Sequence, residues 1–407
     1  MAGTRRRLDD WLTGFMEYTK HSESPISFHL WAGVAAIAAS LQRRVYMRWG
    51  YQTIFPNNYI VLVGPSGASR KSEPINISRA LVEKVDAVRL LGEDNSQEAI
   101  IREMKNAVTN FTDKSTNRIT FQCAVSTFLE ELSVFTGQQN TQFLAYLTNW
   151  YDSRDKWKRT TKHQGTDEIM GMCFNMLAAT APDWIPYILP REAIGGGFTS
   201  RCIFVVEGGK SKVVANPNLV LEDAELKKAL IHDLQIINGL SGEMRFDTKA
   251  LQTYCDWYEQ DEKRIQEGNP VIRDTLFSGY IARRATHVKK LAMAMSASRG
   301  ADMIITHGDF RRALTLMENA ERKMSQAFTG VGRARYAEET QLVLAYLAQR
   351  GKASRSEILN QFHRSLDTNV LDIVIKVLDG MQVIKLEIGR QDTTYKYIGL
   401  PPNQATS

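Results

Sequence analysis

The sequence predicts an α/β protein with a mainly parallel central sheet, a helical region after it and a small C-terminal unit. Between residues 46 and 208, short aliphatic runs alternate with helical stretches. The runs are apolar at consecutive positions, which is typical of strands covered on both faces. A segment rich in glycine and serine follows the first clear run. The order strand, small-residue loop, helix favours binding of a phosphate group.

Length and composition limit the possible classes of protein. The chain has 407 residues, enough for two or three domains, and 43% of them are hydrophobic. This apolar fraction can form real cores, so a mainly disordered protein is excluded. The formal net charge of +6 favours anionic partners, with nucleic acid first among them.

The cysteines and the apolar segments indicate a cytoplasmic protein without a membrane span. Cys123, Cys173, Cys202 and Cys255 form no CxxC pair, so no zinc site is predicted. The longest apolar run, residues 30–41, is too short to cross a bilayer as a helix. The basic residues at positions 5–7 are not followed by the apolar core of a signal peptide.

Four regions are predicted along the chain: an N-terminal helical region at 1–48, a core at 49–210, a helical region at 211–330 and a separate unit at 334–400. Asp9 and Asp10 can begin the first helix, and Pro25 precedes a helix rich in small residues. Within the core we expect strands at Tyr59–Val63, Arg118–Val125, Phe174–Thr180 and Cys202–Val206, and a helix at Ile75–Val85. The third region is predicted helical throughout, with helices at Asp247–Ile265, Asp274–Arg299 and Thr306–Phe328, and Asp247 and Thr306 are candidate caps.

The C-terminal unit has the pattern of a winged helix-turn-helix. Its predicted elements are helices at Glu338–Gln349, after Ser354 and at Thr368–Met381, then strands at Val383–Leu386 and Thr394–Ile398. The third helix carries Asp372, Lys376 and Asp379, with few cations for reading a major groove. Docking of a protein or weak DNA binding is therefore as well supported as sequence-specific recognition.

The candidate phosphate-binding loop is Gly64-Pro65-Ser66-Gly67-Ala68-Ser69-Arg70-Lys71-Ser72. In such a loop backbone N–H groups converge on the phosphates, a lysine reaches the terminal phosphates and a hydroxyl binds Mg²⁺. Lys71 and Ser72 fit these two roles, with ATP as the nucleotide. The spacing is a variant, because Lys71 comes one residue late and Arg70 stands where the usual pattern has glycine. An ordinary glycine- and serine-rich turn is the alternative.

Catalysis of phosphoryl transfer also needs an acidic group near the metal ion and the attacking water. Glu130 and Glu131, after the second strand, are the candidates, although the usual aspartate at the strand end is missing. Asp152 and Asp155 are alternative carboxylates. On the third strand, Asn175 and Thr180 are candidates for sensing the terminal phosphate.

An arginine and a cationic segment complete the candidate residues. Arg201 follows the triple glycine at 195–197 and is a candidate arginine finger that reaches the nucleotide of a neighbouring subunit. Cations and an aromatic ring that could bind DNA lie at Arg154, Lys156, Trp157, Lys158, Arg159 and Lys162. Solvated loops are the alternative for both segments.

With these residues in place, the chain resembles the P-loop proteins of phages and mobile elements that often lie behind primase domains. The resemblance rests on residues 56–59 (Pro56-Asn57-Asn58-Tyr59), the 64–72 loop, the Glu130-Glu131 pair, residues 180–182 (Thr180-Ala181-Pro182) and residues 197–201. It implies an ATP- and Mg²⁺-dependent DNA helicase in replication, placed in the bacterial host cytoplasm if phage-encoded. A primase is a possible partner.

The third region is similar to the lid of AAA+ ATPases, particularly minichromosome-maintenance helicases. The similarity lies in residues 282–292 and 305–314, and by it Arg283 or Arg284 would be a second sensor arginine. A basic amphipathic helix is the alternative. The two resemblances together imply an AAA+ or RecA-like P-loop NTPase core with a helical lid and a winged helix. They also imply a homo-oligomeric ring that acts on single-stranded or forked DNA. A nucleic-acid-binding initiator or loader with a degenerate nucleotide site is the alternative function.

Overall fold

The computed structural model describes residues 5–94, 96–161, 165–189, 196–216, 223–328, 337–363, 366–388 and 393–399. Lys162 and Gly195, both named above, lie outside these ranges. The contacts divide the chain into two compact units, Met1–Gly330 and Val331–Ser407. The regions 1–48, 49–210 and 211–330 therefore share one unit.

The first unit begins with two helices, α1 (Trp11–Tyr18) and α2 (Ile26–Leu41). Asp10 caps α1 by accepting a hydrogen bond from the Thr13 amide, and Pro25 directly precedes α2. A hairpin of strands follows, β1 (Val45–Trp49) and β2 (Gln52–Ile54). The prediction of helix up to residue 48 was therefore wrong beyond α2, because β-branched and aromatic residues of β1 favour a strand.

The core of the first unit alternates strands and helices. In chain order these are β3 (Tyr59–Val63), α3 (Ser72–Val82), β4 (Arg89–Leu90), α4 (Gln97–Asn106), β5 (Thr109–Asp113), β6 (Arg118–Leu129), α5 (Leu132–Thr136), α6 (Thr141–Tyr151), β7 (Lys156–Thr161), β8 (Gly165–Met170), β9 (Met172–Thr180), α7 (Ile185–Ile188) and β10 (Cys202–Val206).

The central sheet has the strand order β10-β3-β9-β6-β4, and every neighbouring pair in this order is parallel. The predicted α/β architecture with a mainly parallel sheet is therefore confirmed. In a parallel sheet all carboxyl ends lie at one edge, here called the carboxyl edge, and all amino ends lie at the opposite amino edge. Val206, Val63 and Thr180 are in register across the carboxyl edge.

Two elements of the sheet are longer than the sequence predicts. β6 continues four residues past Val125, to Leu129, and β9 starts at Met172 rather than Phe174. The first part of β6 pairs antiparallel with β5, whereas residues 123–129 pair with β9 and are almost entirely buried. The helix after the loop begins early, at Ser72, because Pro74 is tolerated in the first turn of a helix.

Helices dominate the rest of the first unit. They and three short strands are α8 (Ala224–Asn238), β11 (Gly242–Glu243), β12 (Arg245–Phe246), α9 (Thr248–Gln266), α10 (Ser278–Ile281), α11 (Arg284–Arg299), β13 (Ile304–Ile305) and α12 (His307–Met324). The expectation of helix throughout was wrong at these strands and at residues 282–283, where the predicted 274–299 helix is interrupted. Asp247 and Thr306 cap α9 and α12 as predicted.

The second unit has its own helices, sheet and core. Its elements are α13 (Ala337–Arg350), β14 (Lys352–Ser354), α14 (Arg355–Gln361), α15 (Thr368–Gly380), β15 (Ile384–Ile388) and β16 (Thr393–Tyr397). β14, which the sequence did not predict, joins the hairpin in an antiparallel sheet of order β14-β16-β15. Aliphatic residues of the helices and strands form a separate buried cluster.

Within the described ranges, no helix combines the length and the apolar character needed to cross a membrane.

Candidate functional site

The 64–72 loop leaves β3 at the carboxyl edge and folds tightly over itself. The Gly64 amide donates to the Thr180 carbonyl at 3.2 Å, which ties the loop to β9. A Cβ on Gly64 would lie 2.5 Å from Ser69 Oγ and 2.8 Å from the Glu207 carbonyl oxygen, so glycine is required here. Gly67 and Arg70 both have positive φ, at 72° and 45°. The loop is therefore a specific, constrained turn and not a generic flexible one.

Lys71 stands at the N-terminus of α3 and turns its amine back into the loop. Its Nζ donates to the Gly64 carbonyl at 2.6 Å and to the Pro65 carbonyl at 3.3 Å. Burial lowers the pKa of this amine, and the nearby Glu131 opposes that shift. The described hydrogen bonds of the amine thus go to neutral carbonyls, and a bound anion would compensate its charge better.

Glu130 lies beside Ser72, across the mouth of the loop. Asn76 Nδ2 donates to Glu130 Oε1 at 2.9 Å, and hydrogen bonds from Asn76 and Ser72 lower the pKa of the carboxyl. The carboxylate is otherwise exposed. A hydroxyl at the start of a helix and an ionised carboxylate next to it are oxygen ligands of the kind that Mg²⁺ binds together with phosphate oxygens.

Glu131 caps α5 by accepting from the Ser133 amide at 3.4 Å. It comes two residues after Leu129, the last residue of β6, so it lies just beyond the carboxyl end of that strand. Since β9 separates β3 from β6, the two strands are about 10 Å apart. This spacing leaves room for a phosphoryl group and a water between Lys71 and Glu131.

A cavity of about 720 Å³ occupies this mouth. Its walls are formed by residues of the loop and of α3, by the Glu130-Glu131 pair, and by segments 21–23 and 214–215. The volume falls within the range of pockets for drug-sized ligands, about 300–1,000 Å³. The cavity can therefore take a ligand of nucleotide size.

Arg70, the residue that departs from the usual motif, fixes the loop to the segment between α1 and α2. Its Nε lies 2.6 Å from Glu23 Oε2, and Lys210 and the Val214 amide also contact Glu23, at 3.1 and 2.9 Å. Ser24 Oγ donates to the Arg70 carbonyl at 3.2 Å. The role of Glu23 could not be predicted from the sequence, because no motif links it to a loop 47 residues away.

Arg201 and Asp152 lie far from this cavity in their own chain. Arg201 donates to both oxygens of Asp152, at 3.0 and 2.7 Å, and to the Gly197 carbonyl at 2.7 Å. Arg201 immediately precedes β10, so about 16 Å of strand separates it from the carboxyl edge. Asp155, the other alternative carboxylate, pairs with Arg43. Neither aspartate meets Lys71 in the described structure.

The two sensor candidates on β9 occupy different places. Thr180 ends the strand beside the loop, and its carbonyl holds the Gly64 amide. Asn175 is buried five residues earlier, about 16 Å along the strand. Its side chain accepts from the Asn58 amide at 3.0 Å and donates to the Ala35 carbonyl at 3.3 Å. Only Thr180 is close to the cavity.

Arg283 and Arg284 also differ from each other. Arg284 is 1% exposed and is held by Asp261 at 2.7 Å and by both oxygens of Glu321 at 2.8 and 2.9 Å. Its guanidinium is thus surrounded by carboxylates inside the helical region. Arg283 is partly exposed and lies 3.9 Å from Asp152, at the amino edge. Neither arginine reaches the cavity of its own chain in this conformation.

Residues 156–161 of the cationic segment form β7, the first strand of the β7–β8 hairpin, and much of the charge of the described residues is compensated. Lys156 and Lys158 pair with Glu168 at 2.5 and 3.1 Å, and Arg159 pairs with Glu98 at 3.2 Å. Arg154 is exposed. Trp157 is 7% exposed and packs against Tyr146 and Trp150, so its ring is not free to stack on a base in this conformation.

A buried polar cluster at the amino edge was not predicted as such. Asn57, fully buried before β3, donates to the carbonyls of Tyr151 and Phe174 at 2.9 and 3.0 Å. Its own oxygens accept from Lys290 at 2.7 and 2.9 Å, and burial lowers the pKa of Lys290 to about 7. Asn57 appeared in the sequence only within the motif at 56–59, with no role attached.

In the described part of the chain, no group of three or more histidines, cysteines, aspartates or glutamates could hold a metal ion by itself. In comparisons with known proteins, no family model matches the chain, and no curated protein matches its sequence significantly.

Proposed function

We propose that the chain is an ATP-dependent DNA helicase or translocase that works as a homo-oligomeric ring in the replication of a phage or mobile element. The observation that carries the nucleotide part is the convergence of Lys71, Ser72, Glu130 and Glu131 around one cavity at the carboxyl edge. The DNA part rests on the resemblances described above and on the net charge of +6.

The residues divide the chemistry of ATP hydrolysis among them. Lys71 leaves the loop carbonyls and donates to the β- and γ-phosphate oxygens, while the amides of the loop hold the phosphates. Glu131 accepts the proton of a water that attacks the γ-phosphorus, and the bond to the β,γ-bridging oxygen breaks. ADP and inorganic phosphate are the products.

Ser72 and Glu130 are the residues that would hold Mg²⁺. The metal supplies charge neutralisation between the β- and γ-phosphates when it is bound. Glu130 suits this role better than proton transfer, because its hydrogen bonds from Asn76 and Ser72 favour the ionised form. Thr180, beside the loop, is the candidate sensor of the γ-phosphate.

In the proposed ring, Arg201 would act between subunits. This arginine stays at the amino edge, away from the cavity of its own chain, so it acts on a nucleotide only if a neighbouring copy presents its carboxyl edge there. An arginine supplied in this way lowers the barrier to phosphoryl transfer by several kcal/mol. Arg283 lies on the same edge and would face the same neighbour.

The decisive experiment measures ATP turnover with and without single-stranded DNA, at two salt concentrations, together with strand displacement on a forked duplex. We expect DNA to stimulate turnover. The stimulation should be weaker at high salt, because salt weakens the contacts between the protein and the DNA phosphates. Lys71→Ala should reduce turnover by more than about 100-fold. This is the order of magnitude expected when one group that stabilises the charge of the transition state is lost.

Lys84→Ala is the matched control, since Lys84 is exposed shortly after the end of the same helix, α3. It should retain normal turnover, and both variants should keep the wild-type unfolding midpoint. Unchanged turnover in the Lys71 variant would refute the catalytic assignment.

A second candidate is a replication initiator or loader that binds ATP without efficient turnover. The specific observation in its favour is the ion pair between Arg70 and Glu23, which holds the variant loop in one conformation. ATP binding with DNA binding but no strand displacement would favour this alternative, and absence of any nucleotide binding would exclude the helicase.

A further inference from the structure

His29 is a buried polar side chain that the proposed chemistry does not use. It lies on α2 and is 2% exposed, and within the described residues neither ring nitrogen has a hydrogen-bond partner. Leaving a buried polar group unpaired costs about 1–3 kcal/mol. An unpaired group of this kind calls for a physical explanation, and one such explanation is a missing ligand.

The His29 ring forms part of the wall of a second cavity, of about 200 Å³. Met16 and Ile26 contribute apolar walls, and Ile26 is 66% exposed. The polar part of the wall comes from Thr19, Lys20, Ser22, Ser24, Ser211 and Lys212. A mainly apolar cavity with a few polar groups is typical of a site for a flat heterocycle. Its volume is below the range of about 300–1,000 Å³ for whole ligands, so it suits a fragment of a nucleotide.

The second cavity adjoins the phosphate cavity. Ser22 lines both of them. Ser24, in the wall of the second cavity, donates to the carbonyl of Arg70 at 3.2 Å, directly behind the loop. Ser211 contacts the same segment, with its Oγ 3.0 Å from the Ser24 carbonyl. A ligand whose phosphates lie on the loop can therefore extend across Ser22 into the second cavity.

Burial, with a smaller contribution from Lys212, lowers the pKa of His29 to about 4. The ring is therefore neutral at pH 7, with one nitrogen as donor and the other as acceptor. Both nitrogens are covered in the free protein, so contact with a ligand requires the ring to turn about χ2, a torsion with a broad energy minimum. Nucleobase edges present donors and acceptors of the complementary kind.

We propose that the second cavity binds the base of the nucleoside triphosphate whose phosphates occupy the 64–72 loop, and that His29 hydrogen-bonds to the edge of this base. This inference rests on the proposed nucleotide site and adds the position of the base and the residue that contacts it.

The test compares ATP with inorganic tripolyphosphate, which has the phosphates but no base. Binding of each, with Mg²⁺, is measured by calorimetry for the wild-type protein and for His29→Phe. We expect His29→Phe to weaken ATP binding about 5- to 100-fold, the range for one buried hydrogen bond, and to leave tripolyphosphate binding unchanged. Lys71→Ala should weaken both ligands.

A second variant and a control distinguish a loss of base binding from a loss of folding. Met16→Trp fills the cavity without removing a polar group, and should reproduce the selective loss of ATP binding. His363→Phe, at an exposed histidine of the second unit, should bind both ligands like the wild type. Phenylalanine removes the unpaired nitrogens of His29, so the ligand-free His29→Phe protein should unfold at an equal or higher temperature.

Three results would overturn the inference. They are equal wild-type affinity for ATP and tripolyphosphate, an equal loss of both ligands in His29→Phe, and no loss of either. Each of these results would refute the proposed base site and leave the proposed phosphate site unaffected. If the wild-type protein binds neither ligand, the proposed function fails and the base site fails with it.

Discussion

The two edges of the central sheet carry similar polar residues, which differ in how well their hydrogen-bonding groups are paired within the protein. At the amino edge, Lys290 donates to Asn57 and Arg201 donates to Asp152. Asn57 also donates to backbone carbonyls. At the carboxyl edge, Lys71 bonds only to neutral carbonyls in the described structure, and Glu130 is exposed around a cavity.

This difference separates stability from binding. Polar groups that satisfy one another when buried specify the fold, because breaking any one of them leaves others unpaired. Polar groups that face a cavity with weak or neutral partners are available to a ligand. The same chemistry therefore predicts loss of stability for substitutions of Asn57 and Lys290 at the amino edge, and loss of ligand binding or turnover for substitutions around the cavity at the carboxyl edge.

The largest expected effect is at the carboxyl edge. Glu131→Gln should lower ATP turnover about 100- to 10,000-fold, the contribution of a positioned general base, and should keep Mg²⁺-dependent ATP binding. Glu130→Gln should instead raise the Mg²⁺ concentration needed for turnover. Steady-state turnover over a series of Mg²⁺ concentrations separates the two effects.

Glu103→Gln is the control for this pair, since Glu103 is exposed on α4. A reversal, with Glu130→Gln losing turnover at every Mg²⁺ concentration and Glu131→Gln changing only the Mg²⁺ requirement, would exchange the two roles.

A smaller effect is expected at the amino edge. Asn57→Ala removes a side chain that serves Lys290 and two backbone carbonyls, so it should lower the free energy of unfolding by about 3 kcal/mol. ATP affinity should stay within about twofold of the wild type, because the two edges are separated by the length of the strands. All seven tryptophans precede residue 330, so denaturation followed by tryptophan fluorescence reports on the first unit alone.

Asn76→Ala is the counterpart at the carboxyl edge, where its bond to Glu130 is exposed. It should cost less than about 1 kcal/mol of stability. Comparable losses in both variants would contradict the distinction between the edges.

The smallest effect concerns pH. Burial lowers the pKa of His29 to about 4 and that of His287 to about 3, below the ordinary value of 6.5. As pH falls below 6.5, the unfolded chain takes up protons that the folded chain does not, so the folded state loses stability. Each histidine should cost about 2 kcal/mol at pH 5 relative to pH 7.

His29→Phe should therefore remove about 2 kcal/mol of the stability difference between pH 7 and pH 5, measured without ligand in urea. An unchanged difference would show that His29 takes up a proton as readily in the folded chain as in the unfolded chain.

The sequence predicted much of the fold correctly because local patterns carry that information. The fully apolar runs identified β3 and β10 at their observed bounds, and Asp247 and Thr306 were identified as helix caps. The errors were at β1 and at the short strands between α8 and α12. Short strands hold few residues, and their pairing partners are distant in sequence, so no local periodicity marks them.

The candidate site was predictable in its parts and not in its arrangement. The pattern of residues 64–72 and the acidic pair after a buried strand could be recognised, and both lie at the cavity. Glu23, Ser24 and His29 could not, because their positions relative to the loop depend on how α1 and α2 pack. Trp157 was selected for its chemical type and Arg284 for a resemblance to a lid. Neither ground reveals that Trp157 is buried among aromatic rings and Arg284 among carboxylates.

The sequence by itself determined a parallel α/β core with a glycine- and serine-rich loop between a buried strand and a helix. Hydrophobic periodicity and turn chemistry are local, and they suffice for that conclusion. Only the tertiary structure decided that β9 lies between β3 and β6, that Lys71 and Glu131 line the same cavity, and that Arg201 lies at the opposite edge. Strand order follows from packing between distant segments, and no stretch of the chain encodes it alone.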